Sequence, residues 1–322
     1  MNSTAITTVN PPSEISETFR EDLDRAAGYA RAEKSPGTRK AYMSDFQIFG
    51  LWCQDRGMTV LPAAPESVAA YLAYEAARGT KPSTIGRRCA AIRYLHSIKS
   101  LPNPTADERV KAVVRGIRRT IGVMPRRMTP ATAERVIAMA PIPDGNLTTL
   151  RDRALLLLGF AGAFRRSELV TLDVADIEEV AEGLRVTIRR GKTDQEGHGS
   201  VIAIVRGELA CPVAALQAWL EAAKIEGGPL FRSIRRGGHV QAQRLTDRSV
   251  ANIVKAHAKR VGLDPTLFSG HSLRSGFLTS AAKRGASLFK MMASSRHRST
   301  DTLAGYVRDQ ELFKDHAGSG LL

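Results

Sequence analysis

Along residues 35–121 the apolar positions recur at helical spacing, and the gaps between runs are filled by turn formers. Tyr42, Phe46, Phe49 and Cys53 fall at i, i+4, i+7 and i+11, on one face of a helix expected over 35–55 with Gly57 as its stop. Val68, Tyr71, Leu72 and Ala76 repeat the logic over 66–78, ending at Gly79. A third helix opens at Ser83 or Thr84 and aligns Ile85, Cys89, Ile92 and His96. A fourth, over about 106–121, aligns Val110, Val113 or Val114, Ile117 and Ile121. No strand is expected here. Glycine, proline and two arginines in residues 122–128 interrupt the periodicity and mark a linker.

Beyond the linker a helix begins after Thr129, and a strongly apolar helix is expected over 150–164. Three extended segments, at 177–180, 184–189 and 200–205, are joined by turns rich in glycine and charge, which predicts a three-stranded antiparallel sheet. From Cys211 the pattern is helical again, broken at Gly227-Gly228, Gly237-Gly238 and Pro265. The expected fold is mainly α with a small antiparallel sheet. Residues 1–34 read as a partly disordered leader, 35–121 as a helical domain, 129–308 as an α+β domain and 309–322 as a short helix and tail.

Composition adds a partner to this outline. Lys plus Arg outnumber Asp plus Glu by 47 to 32, a net charge of +15, which favours a polyanion. Arg87, Arg88 and Arg93 on the third helix, Arg115, Arg118 and Arg119 on the fourth, and Arg126 and Arg127 in the linker are the candidate phosphate contacts to a nucleic acid. The longest nearly uncharged apolar run, 154–164, is too short to span a bilayer, and residues 1–14 have neither a basic start nor an apolar stretch. Neither membrane association nor a signal peptide is expected, which leaves a cytoplasmic location. Cys53, Cys89 and Cys211 form no CxxC pair and read as core thiols.

Cleaving a phosphodiester by direct displacement needs cations on the non-bridging oxygens, an in-line nucleophile and a proton donor for the leaving oxygen. The chain shows no recognisable carboxylate motif for metal ions, so the candidate cations are side chains. Arg165 and Glu168 lie three apart in Arg165-Arg166-Ser167-Glu168-Leu169, just past the apolar helix. Lys192 sits in the turn between the second and third strands, in Gly191-Lys192-Thr193-Asp194. His271 and Arg274 share a face of a helix opening after Ser269-Gly270. His297 stands nine residues before Tyr306. The other tyrosines all precede the linker, so Tyr306 alone accompanies the cationic cluster.

These motifs, in this order over 160–308, resemble the catalytic domain of the tyrosine recombinase (phage integrase) family, of the simple two-domain Cre/Xer-like type. The helical first half is similar to that family's core-binding domain. The resemblance implies that Arg165 and Arg274 grip the scissile phosphate, where a guanidinium fork donates two parallel bonds. Tyr306 would attack phosphorus and leave a 3′-phosphotyrosyl bond. Lys192 would protonate the 5′-oxygen, His271 would accept or orient the tyrosine proton, His297 would hydrogen-bond a phosphate oxygen, and Glu168 would brace His271 or the arginines. Arg165 is preferred over Arg166 because the family pattern places its arginine two residues before the serine. Many bacterial members carry Leu-Gly before the histidine matching His297, whereas this chain has Ser295-Arg296.

The resemblance further implies a site-specific recombinase without cofactor or metal. It would act on double-stranded DNA as a homo-oligomer, a tetramer on two sites, with an accessory DNA-binding protein as a further candidate partner. Absence of an extra domain before Ser35 favours transposon cointegrate or plasmid dimer resolution over phage integration. The alternatives are a monomer like a type IB topoisomerase and a DNA-binding protein without catalysis.

Overall fold

The computed structural model describes residues 17–123, 128–189, 199–311 and 318–319, and the chain divides into two compact units, 1–125 and 126–322. The first contains α1 (Glu17–Ala32), α2 (Pro36–Asp55), α3 (Pro65–Ala77), α4 (Pro82–Ile98) and α5 (Glu108–Ile121). Proline opens α2, α3 and α4, at the helical position that needs no backbone donor. Ser35 caps α2 by accepting the Thr38 N–H at 3.2 Å, and Asp107 caps α5 by accepting that of Arg109 at 2.8 Å.

Phe49, Cys53, Val68, Tyr71, Leu72, Ile85, Ile92 and Val110 close into one core, as their spacing predicts. The same stripe buries His96 completely. Its Nε2 accepts the Ala63 N–H at 2.9 Å and its Nδ1 lies 2.8 Å from the Ile92 carbonyl, so the ring is the neutral Nδ1–H tautomer tying the 62–63 loop to α4. Two expectations are corrected. Ile121 is exposed, because the α5 stripe leaves the core one turn early. The stretch read as a leader contains a 16-residue helix, α1, whose apolar Phe19 and Leu23 are exposed.

The second unit runs α6 (Ala133–Met139), α7 (Leu147–Ala161), α8 (Arg166–Thr171), β1 (Ile177–Val180), β2 (Gly183–Ile188), β3 (Ser200–Val205) and α9 (Pro212–Ala222). It continues with β4 (Arg232–Ile234), β5 (Val240–Arg244), α10 (Asp247–Arg260), α11 (His271–Lys283), α12 (Leu288–Ser295) and α13 (Thr300–Glu311). β1, β2 and β3 form the expected antiparallel sheet, with Leu184, Val186 and Ile188 alternating inward beside Ile202 and Ile204. A second sheet, the β4–β5 hairpin, falls where only helices were expected. Its strands are short and polar, and the Gly237-Gly238 break is its turn, with φ of 87° and 80°. No helix among the described residues is long and apolar enough to cross a membrane.

α7 is buried nearly all round, with Ala154, Leu155, Leu156 and Leu158 fully enclosed, and it packs on α9 and α11. Asp152 joins it to α10 through His257 Nε2 at 3.0 Å and is also held by Arg151. α11 reaches its place because Gly276 lies directly on the backbone of Ala131, whose N–H bonds the Ser272 carbonyl at 2.9 Å.

A Cβ at Gly276 would overlap the Ala131 carbonyl, an obstacle made of backbone that has no rotamer to yield. Gly276→Ala is therefore expected to cost about 3 kcal/mol, lowering the thermal midpoint of a unit this size by about 6–12 °C. Scanning calorimetry reads this directly, and an unchanged midpoint would contradict so close an approach.

Candidate active site

The site begins where α7 stops. Gly162 caps the helix, Ala163 turns the chain through a φ of 44°, Phe164 is buried, and Arg165 stands at the N-cap of α8. Glu168, at the third position of α8, accepts the Arg165 backbone N–H at 2.9 Å, half of a capping box. The same carboxylate receives the Arg165 guanidinium, so the spacing of three that drew attention in the sequence is used locally.

α11 supplies the opposite wall. Its first turn is secured by Ser269, whose hydroxyl accepts the His271 N–H at 3.2 Å, and by Ser272, whose hydroxyl accepts the Ser269 N–H at 3.0 Å. Arg274, one turn on from His271, is 1% exposed. Its Nη1 donates to the Ala163 carbonyl at 2.7 Å and its Nη2 lies 3.3 Å from both ring nitrogens of His297. Burial, then Arg165 and Arg296, push its pKa down to about 9, which still leaves it charged at neutral pH.

His297 follows α12. The Ser295 hydroxyl lies 2.6 Å from the Met291 carbonyl and 2.8 Å from His297 Nδ1. A hydroxyl has one proton, and the carbonyl can only accept it, so Nδ1 must carry the proton shared with Ser295. The Nε2 lone pair is then free to face Arg274. Burial, followed by Arg274, Arg165, His271 and Arg296, pushes His297 down to about 4. His271 is shifted down as well, by burial and then by Arg274 and Arg165. Both imidazoles are neutral at pH 7. For Glu168, burial opposes ionisation, but Arg296 and Arg165 outweigh it and hold the carboxyl below its ordinary range.

Arg165, Ser269, Gly270, His271, Arg274 and His297 line one cavity of about 600 Å³, together with Ser167 and the ion pair of Arg166 and Asp247 at 3.1 Å. Tyr306, half-buried on α13, packs beside Leu278, Met291 and Leu303 and lies near enough to Arg274 for their charges to interact. Lys192 lies outside the described residues.

Arg296 was not singled out as a site residue. Its guanidinium joins Glu168 at 2.8 Å and the carbonyls of Gly162 and Ala163 at 3.1 and 3.2 Å. Ser295, which orients His297, and Asp247 were missed too. A buried arginine and a serine that touches only the back of a histidine ring have no periodicity of their own, so only the break in the Leu-Gly pattern before His297 gave a signal.

The arginines of the first unit divide. Arg93, Arg118 and Arg119 are exposed, Arg115 meets Glu108 at 3.4 Å, and Arg87 is half-exposed with Nε 2.6 Å from Asp45. Arg88 must be corrected. Its side chain is 12% exposed, pairs with Glu75 and sits over the Tyr71 ring, so it is a core cation whose burial keeps it from a phosphate. Arg126 and Arg127 lie outside the described residues.

The neutral imidazoles give a pH dependence whose sign is definite. Between about 6.5 and the folded value of about 4, unfolded chains bind a proton at His297 that the folded state refuses, so stability falls as pH drops through that window. Glu168, whose depressed carboxyl stabilises above its unfolded pKa and is lost on acidification, acts in the same direction. Urea midpoints measured from pH 7 to pH 4 are expected to fall for the wild type and to fall less for His297→Gln. Parallel curves would sink this assignment of a neutral His297.

The chain matches two family models, the phage integrase family over residues 126–312 and the phage integrase N-terminal SAM-like domain over 22–100. It is 41% identical to the integrase/recombinase xerD homolog of Selenomonas ruminantium, covering 88% of this chain and 85% of that one. It is 24% identical to recombinase cre of Escherichia phage P1, covering 85% and 84%. Its fold is similar to XerH site-specific recombinase bound to palindromic difH substrate, with a TM-score of 0.61 at 17% identity over 80% of this chain and 72% of that one. A lambda integrase dimer bound to a COC′ core site gives 0.60 at 19% identity, covering 91% and 77%. With matches to both halves and a 41% identical relative along most of its length, the chain belongs to the phage integrase family of tyrosine site-specific recombinases.

Proposed function

We propose that this protein cleaves and rejoins double-stranded DNA at a specific site through a 3′-phosphotyrosyl intermediate, with Tyr306 as nucleophile. The observation that carries the reading is the convergence of Arg165, His271, Arg274 and His297 on one cavity, with Tyr306 within electrostatic reach of Arg274. Arg165 and Arg274 hold the two non-bridging oxygens of the scissile phosphate. His271, neutral at pH 7, has a lone pair to take the Tyr306 proton as the phenol oxygen bonds to phosphorus. The bond to the 5′-oxygen breaks, and Lys192 protonates that oxygen. As the anionic phosphate offsets the surrounding guanidiniums, His297 takes a proton from solvent at Nε2 and donates it to a phosphate oxygen in a hydrogen bond. Rejoining is the reverse step with a 5′-hydroxyl, and because the phosphotyrosyl ester keeps the energy of the broken bond, no ATP is consumed.

Arg93, Arg115, Arg118 and Arg119, with Arg87, Arg126 and Arg127, contact the DNA backbone. Four copies on two sites exchange strands, in resolution of transposon cointegrates or plasmid dimers or in integration and excision. Relaxation of supercoils by a monomer, without exchange, would point to the topoisomerase-like alternative.

Tyr306→Phe is expected to bind a nicked duplex from its own flanking DNA as the wild type does while forming no adduct that survives denaturing electrophoresis. An adduct in that variant would remove Tyr306 as nucleophile. Because guanidiniums occupy the phosphate site, adduct formation by the wild type is also expected to persist in excess EDTA. A strict Mg²⁺ requirement would contradict the charge assignment.

A further inference from the structure

Arg296 ends α12 in the left-handed region, at φ 58° and ψ 40°, a conformation that strains every residue with a Cβ and that glycine adopts freely. Helix termination does not call for arginine. The capping bond is made by its backbone, N–H to the Met292 carbonyl at 2.7 Å. The side chain does the rest. Its guanidinium is 11% exposed, with Nη1 donating to Gly162 O at 3.1 Å and Ser294 O at 2.7 Å. Nη2 donates to Ala163 O at 3.2 Å and Glu168 Oε2 at 2.8 Å, and the group lies over the Phe164 ring.

Two of those acceptors are shared. The Ala163 carbonyl also takes Arg274 Nη1, and Glu168 also takes the Arg165 guanidinium and backbone N–H. Arg296 itself does not line the cavity. We infer that Arg296 is a positioning residue for the cleavage reaction, anchoring residues 162–168 so that Arg165 and Arg274 address one phosphate from fixed points. This rests on the phosphate-gripping roles proposed above. Lysine cannot substitute, since one ammonium cannot bridge the 162–163 carbonyls and the carboxylate while lying flat on a ring. Loss of the anchor leaves the cavity residues chemically intact and their geometry loose.

The test compares Arg296→Gly, which removes strain and guanidinium together, with Arg296→Lys, which keeps the charge. Covalent adduct formation under single-turnover conditions, with enzyme saturating, is expected to slow about 10- to 100-fold in both while DNA binding holds. Millimolar methylguanidinium is expected to restore part of the rate in Arg296→Gly and to leave Arg296→Lys unchanged, a response that general destabilisation would not give. In parallel, the Nε–H resonances of ¹⁵N-arginine-labelled protein read the positioning without any cleavage, and those of Arg165 and Arg274 should shift or broaden in both variants. A folded variant cutting at the wild-type rate would overturn the inference, as would unmoved Arg165 and Arg274 signals. Failure of both variants to fold would overturn it too, by making the residue a structural one. A wild type that forms no adduct would instead refute the functional reading, and the resonances would still decide the positioning.

Discussion

Three guanidiniums from separate parts of the chain meet at one buried carboxylate, Glu168, and one backbone carbonyl, that of Ala163. Arg165 comes from the start of α8, Arg274 from α11, and Arg296 from the turn after α12. A lone carboxylate cannot neutralise three cations, and the carbonyl adds only a dipole. The cluster therefore holds an excess of positive charge, and burial first, then these cations, keep both neighbouring imidazoles neutral. A bound phosphate diester would supply the missing negative charge. The guanidiniums are held in place by the protein's own carboxylate and carbonyl, the kind of arrangement in which cations need not reorganise around an anion.

The surrounding fold follows from the need to hold that cluster. α7 is apolar nearly all round because it runs through the middle of the unit, and its end delivers 162–165 to the centre. Gly276 permits the close approach that seats α11, and Ser295 fixes the ring of His297 from behind. Strain is present at both ends of the anchor, in the positive φ of Ala163 and of Arg296. Each is held by hydrogen bonds that the strained conformation itself makes available.

The first unit shows why net charge and charge available for binding differ. Asp45 and Glu75, each 3% exposed, draw Arg87 and Arg88 toward the protein and consume part of the excess. α5 has no comparable buried acid, and its Arg118 and Arg119 remain in solvent. Composition counts both kinds of arginine alike.

The sequence by itself determined the helices of the first unit and the three-stranded sheet, since a core face at a period of 3.6 or 2 is written into residues such as Phe49, Tyr71 and Val186. Local motifs singled out Arg165, His271, Arg274, His297 and Tyr306, and the fold brings the first four to one cavity. Tertiary structure alone decided which charges are spent and which are free. Arg88 and Arg118 look alike in sequence, but one meets a buried carboxylate from another helix and the other does not. Arg296 is the sharper case: besides Ser294, the groups it holds, at Gly162, Ala163 and Glu168, lie more than 120 residues away. A contact at that separation has no period, so it exists only once the chain has folded.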